Sequence, residues 1–141
     1  MAALLLDIDG FKAINDRFGH PAGDAVLRAA AHRLRRAVRS GDLLGRLGGD
    51  EFLMVLAGLH QQAGAQTAAV EAGALRGDQD IDLVTRHLRE SLDEPLEVAG
   101  TSVRLQISVG SALFPRDGLV GHSLIIHADR DMYQDKSRTG R

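Results

Sequence analysis

Two short apolar segments, Leu43 to Leu47 and Phe52 to Leu56, flank Gly48-Gly49-Asp50-Glu51. That pattern commits the middle of the chain to a β-hairpin, and a hairpin forces antiparallel pairing. Upstream, Ala2 to Ile8 is an apolar run ending in acids, the signature of a buried strand. Phe11 to Phe18 has room for one or two helical turns closed by Gly19, and Pro21 suits the first turn of a longer helix. In that helix Val26, Leu27, Ala30, Leu34, Ala37 and Val38 recur at helical spacing, with Arg28, Arg35, Arg36 and Arg39 mostly off the stripe.

Downstream, Gln61 to Gln79 is rich in Ala, Gly and Gln and reads as a loose helix or an inserted loop. Ile81, Val84, Leu88 and Leu92 define a clearer amphipathic helix. Leu96 to Val98 and Val103 to Phe114 read as strands joined at Ala99-Gly100, and Ser123 to Ser137 as a last helix with Leu124, Ile125, Ala128 and Met132 inward. Hairpin-joined strands alternating with helices predict an α+β fold, a mainly antiparallel sheet covered by helices, rather than a doubly wound parallel sheet.

At 141 residues the chain fits one domain spanning 1–141, and it carries no internal repeat. A net charge of −2 gives no global electrostatic case for DNA or a membrane surface, so any bound polyanion must be held by local groups. The absence of cysteine excludes disulfides and thiolate metal sites and is compatible with a reducing cytoplasm. The apolar opening is too short to insert into a bilayer and lacks a signal-peptide pattern. Because the first residues already read as a buried strand, the domain is expected to be a piece of a longer protein.

Asp7 and Asp9 close the first strand, and Asp50 and Glu51 sit at the hairpin. Each pair alone reads most simply as a strand end or turn facing solvent. Together they allow a hard-cation site, because Mg²⁺ takes carboxylate and carbonyl oxygens. Two carboxylates about 4 Å apart repel by roughly 4 kcal/mol at an effective dielectric near 20, and a divalent ion between them removes that repulsion. Gly48 and Gly49 allow close approach of a bulky ligand. Asp9-Gly10-Phe11-Lys12 forms a strand-to-helix turn whose backbone N–H groups suit phosphate, with Lys12 as a point charge; the plain alternative is a simple turn with a solvated lysine. His32, His60, His87, His122 and His127 show no spacing that suggests a transition-metal site.

The combination is more specific than its parts. The run Asp7-Ile8-Asp9-Gly10-Phe11-Lys12-Ala13-Ile14-Asn15-Asp16, then Gly19-His20, Gly23-Asp24 and Arg46-Leu47-Gly48-Gly49-Asp50-Glu51-Phe52, resembles the GGDEF family of diguanylate cyclases. Ile107-Ser108-Val109-Gly110, Phe114 to Gly118, and Ala128-Asp129 with Met132, Tyr133 and Lys136 resemble the family's later landmarks. The resemblance implies a fold akin to the palm of nucleotidyl cyclases and polymerases, with a ferredoxin-like core.

It further implies that Asp7, the Ile8 carbonyl and Asp50 hold Mg²⁺ or Mn²⁺. Glu51 assists, and Asp50 helps deprotonate a ribose 3′-hydroxyl. Backbone around Gly10 and Phe11, with Lys12, would cradle a triphosphate beside Gly48 and Gly49. Asn15 and Asp24 would read guanine, since a carboxylate accepts both its N1–H and its exocyclic amine. His20 would lie near the nucleotide. Lys136 and either Arg138 or Arg141 would reach phosphate. Arg39-Ser40-Gly41-Asp42 resembles the family's inhibitory R-x-x-D site for cyclic di-GMP; without that placement, Arg39 and Asp42 read as a helix C-terminus and a turn acid.

The implied activity joins two GTP molecules into cyclic di-GMP with release of two pyrophosphates, in a homodimer formed at least transiently. The bacterial cytoplasm is the implied location, with linked sensory or phosphodiesterase domains. Three features depart from the family pattern: no D-x-L-T…N-R helix precedes Met1, Ser111 and Asp135 replace usual apolar residues, and one extra residue precedes Gly140. The alternatives are a GTP-sensing or cyclic di-GMP-binding module without turnover, and a structural dimerisation domain.

Overall fold

The computed structural model describes residues 1–57 and 69–139, with side chains described over 1–57 and 77–138. The elements follow as β1 (Ala2–Ile8), α1 (Phe11–Phe18), α2 (His20–Ala37), β2 (Leu43–Gly48), β3 (Glu51–Leu56), α3 (Ala69–Leu92), β4 (Leu96–Val98), β5 (Thr101–Val103), β6 (Ile107–Leu113) and α4 (Gly121–Thr139). The main sheet runs β2-β3-β1-β6 with every pairing antiparallel, and β4 and β5 form a separate hairpin. This is the antiparallel α+β fold expected from the hairpin and the element spacing.

Two boundaries differ from the sequence expectation. The segment read as a loose helix or loop, 61–79, divides: residues 61–68 lie outside the described residues, while α3 begins at Ala69 and continues through to Leu92. Two glycines had blurred the helical pattern there. Gly77 has a packing reason, because a Cβ at that position would stand 3.0 Å from a methyl of Leu113. Val103 to Phe114 is also not one strand. Thr101–Val103 pairs with β4, and the chain passes through 104–106 before β6 joins the main sheet. That crossing has a use, since the Gln106 carbonyl accepts the Asp9 N–H at 2.9 Å.

Strand alternation divides the core in two. Ala2, Leu4, Leu6 and Ile8 of β1 join Phe52, Met54 and Leu56 of β3 and Ile107, Val109 and Leu113 of β6, packed beneath α2 and α3. The opposite residues, Ala3 and Leu5 with Ala112, pack against Leu124, Ala128 and Met132 of α4, and Leu53 adds to that cluster. The face under α4 is thin. A Cβ on Gly110 would lie 1.9 Å from the Ala128 carbonyl oxygen, so the helix backbone rests directly on the sheet.

The outer edge of β6 is closed by three aspartates. The N–H groups of Val109, Ser111 and Leu113 donate to Asp135 at 3.1 Å, Asp131 at 2.8 Å and Asp117 at 2.7 Å. Four residues of helix rise about 6 Å, close to the span of two strand residues, so Asp131 and Asp135 match alternate amides of the strand. A sheet edge that would otherwise offer free donors is thereby covered.

The Gly110 contact sets how close α4 can come, and backbone cannot yield as a side-chain tip can. Gly110→Ala is expected to lower unfolding free energy by about 2–3 kcal/mol, read as a reduced urea midpoint. An unchanged midpoint would show that the close approach is not needed.

Candidate functional site

The same alternation that buries Ala3 and Leu5 under α4 sends Asp7 to that side. Its cross-strand neighbours are Glu51 on β3 and Ser108 on β6. The α4 face therefore ends in a row of three polar residues on three adjacent strands. On α4 the inward series Ala128, Met132 continues one turn further to Lys136. Its ammonium lies 3.0 Å from the Asp7 carboxylate. The apolar stripe ends in an ion pair where the apolar sheet face ends in acids.

Asp50 is brought to this end by the hairpin. The Ile8 N–H donates to the Asp50 carbonyl at 3.2 Å, tying the turn to the end of β1. Gly49 turns with φ of 54°, a left-handed conformation that favours glycine, and Arg46 Nε donates to the Gly49 carbonyl at 2.9 Å. Asp9 lies one residue past β1, and its carboxylate accepts the hydroxyl of fully buried Ser108 at 2.6 Å. Burial pushes the Asp7 carboxyl above its ordinary value of 3.8; Lys136 pulls it back, and the charges of Asp50 and Asp9 raise it further. Acids distant in sequence thus share one electrostatic environment.

The donor set fits a hard divalent ion. Two carboxylates and a neighbouring carbonyl are oxygen ligands, and the ammonium of Lys136 already supplies positive charge at Asp7. Among the described residues, no group of three or more His, Cys, Asp or Glu side chains converges on one point. Such an ion would take its remaining ligands from water and phosphate, which is how Mg²⁺ is commonly bound.

The strand-to-helix turn places Gly10 at φ of 70° as the residue before α1, whose first residues are Phe11 and Lys12. Lys12 is exposed. Asn15 lies against α2 so closely that a Cβ on Gly23, the residue before Asp24, would meet its Oδ1 at 1.8 Å. His20 is exposed at the start of α2. Asp24 borders a cleft of about 690 Å³ between α2 and β2. A second cleft, about 440 Å³, runs from Glu51 along α4 past Tyr133 to Lys136.

Other expected residues stand apart. Arg39 is exposed beyond α2, whereas Asp42 is buried and accepts the Ala57 N–H at 3.1 Å, so its carboxylate fastens the start of β2 to the end of β3. Arg138 is exposed near the end of α4, and Arg141 lies outside the described residues. Sequence reasoning assigned no role to Ser108 and expected Lys136 only on phosphate. The i, i+4 continuation from Ala128 and Met132 was the signal that pointed Lys136 at the sheet.

Comparison with known proteins agrees with this fold. The family described as "Diguanylate cyclase, GGDEF domain" matches residues 1–141. The bifunctional diguanylate cyclase/cyclic di-GMP phosphodiesterase MucR of Pseudomonas aeruginosa is 39% identical over 99% of this chain, which spans 18% of that protein's length. The crystallised GGDEF domain of TpbB from the same organism superimposes with a TM-score of 0.78 at 35% identity, covering 97% of this chain and 76% of that one. The GGDEF domain of DgcB from Caulobacter crescentus, crystallised in complex with c-di-GMP, gives 0.75 at 26% identity over 99% and 73% of the two chains.

The strained acid pair has a measurable consequence. With its folded-state pKa above 3.8, Asp7 holds its proton more tightly in the folded chain, so its contribution to stability falls as pH rises from 3.8 through the raised value. Without divalent ions, Asp7→Asn should therefore melt at a higher temperature than the wild type at pH 7. The two should converge below about pH 4. A lower melting temperature for the variant at pH 7 would contradict this.

Proposed function

The chain belongs to the GGDEF family of diguanylate cyclases, and from that premise we propose that it condenses two GTP molecules into cyclic di-GMP, releasing two pyrophosphates. The observation that carries the reading is the convergence of Asp7 with the Asp50 hairpin under the charge of Lys136. Asp7, the Ile8 carbonyl and Asp50 would hold Mg²⁺ or Mn²⁺, with Glu51 beside them. A divalent ion there neutralises charge on phosphate oxygens and lowers the pKa of the attacking hydroxyl.

The chain's own residues do the rest. The turn at Gly10 presents backbone N–H groups of Phe11 and Lys12 to a triphosphate, with the Lys12 ammonium alongside. Gly48 and Gly49 leave room for the nucleotide over the hairpin. Asn15 and Asp24 bind guanine and orient the ribose, with His20 near the nucleotide. Asp50 accepts the proton of the 3′-hydroxyl as it attacks the α-phosphorus of the second GTP. Lys136 is held ready on Asp7 and can turn its charge to phosphate, joined by Arg138 or Arg141. Because one domain carries one such set, two copies must face each other, and the working form is a homodimer.

Arg39 offers a fork for a phosphate or guanine edge of cyclic di-GMP, next to the inward-turned Asp42. Among the described residues no helix is long and apolar enough to cross a membrane. A GTP-consuming reaction fits a bacterial cytoplasm, and the domain would work there linked to sensory or phosphodiesterase domains.

Incubation with GTP and Mg²⁺ is expected to release pyrophosphate and form cyclic di-GMP, and Asp50→Ala should lower the rate by about a hundredfold or more. Turnover undiminished in Asp50→Ala would overturn the assignment. GTP binding without product from dimeric wild-type protein would instead favour a nucleotide-sensing module.

A further inference from the structure

The cleft between α2 and β2 extends beyond Asp24. Leu27, Ala31, Leu44 and Phe52 line it with apolar surface, and Arg28 stands on its helix side with Asp24. Positions 24 and 28 are one helical turn apart, so the two side chains stack on one face of α2. Among the described residues neither makes an ion pair or hydrogen bond. Of the other arginines lining the cleft, Arg46 is spent on the Gly49 carbonyl, and Arg35 lies seven residues, two helical turns, beyond Arg28 on α2, away from Asp24. Arg28 is exposed and keeps all its donors for a ligand. At about 690 Å³ the cleft lies within the range of small-molecule pockets.

We propose that Arg28 is a base-specificity residue that donates its guanidinium fork to O6 and N7 of guanine while Asp24 accepts from N1–H and the 2-amino group. The inference rests on the guanine reading of Asp24. Guanine carries its O6 acceptor directly beside the N1–H donor, so a site that accepts at N1 needs a donor alongside, and arginine matches O6 and N7 together. Adenine has an amine where O6 stands. It would set donor against donor at Arg28 and leave the Asp24 carboxylate without its pair of N–H groups. The apolar residues would take the faces of the ring. Discrimination then comes from two opposite charges one turn apart rather than from shape alone.

Titration calorimetry of the full chain with Mg²⁺ and nucleoside diphosphates, which lack the pyrophosphate leaving group, tests this. The ligands are GDP, 7-deaza-GDP (no N7 acceptor) and IDP (no 2-amino group). The wild type should bind both analogues about tenfold more weakly than GDP. Arg28→Ala should bind GDP about tenfold or more weakly, lose its preference for GDP over 7-deaza-GDP, and keep its preference over IDP. Because Arg28 is exposed, its removal leaves the core intact, and the retained IDP penalty reports a folded pocket. Equal GDP affinity in wild type and Arg28→Ala, with the IDP penalty intact, overturns the Arg28 assignment alone. No GDP binding, or binding without an IDP penalty, overturns the Asp24 reading beneath it.

Discussion

A lysine ammonium held 3.0 Å from a half-buried aspartate is the contact on which the candidate site turns. Asp7 is pushed toward its protonated form by burial and by the charges of Asp50 and Asp9, and Lys136 opposes that push. The site is thus assembled at a cost in repulsion that a divalent cation would relieve. Strand alternation explains why it is assembled here. The residues of β1 that pack under α4 lead to Asp7 at the next inward position, and the residues of α4 that pack on the sheet lead to Lys136. One packing interface supplies both partners.

That interface depends on α4 being fixed along its length. Gly110 lets the helix backbone touch the strand, while Asp131 and Asp135 hold alternate amides of β6. Asp135 also pairs with Arg89 of α3 at 2.8 Å. Lys136 follows directly, so the covered sheet edge and the charged end of the site share one helical turn. The departure from the family pattern at Asp135 joins α3, α4 and β6 beside the acids rather than disturbing them.

Much of this was legible in the residues. The hairpin at Gly48-Gly49 and the run Ala2 to Ile8 fixed the antiparallel core, since turn chemistry and apolar spacing there agree. The meeting of Asp7 and Asp50 followed once those strands were neighbours. What escaped was nonlocal. The 103–114 run concealed a change of sheet because Val103-Arg104-Leu105-Gln106 alternates as a strand does and leads directly into the apolar stretch from Ile107. The first turns of α3 were obscured by glycines, one of which has a packing reason against Leu113. Ser108 gave no sign of its bond to Asp9, and the inward turn of Asp42 toward Ala57 depends on a strand pairing that R-x-x-D spacing does not encode.

The most direct test is where a divalent ion settles. In a ¹⁵N-labelled sample, substoichiometric Mn²⁺ should broaden the backbone amide signals of Ile8, Asp50 and Glu51 first and together, and added Mg²⁺ should restore them. Broadening centred elsewhere, or broadening of the Asp7 strand without the Asp50 hairpin, would contradict a shared ion between these acids.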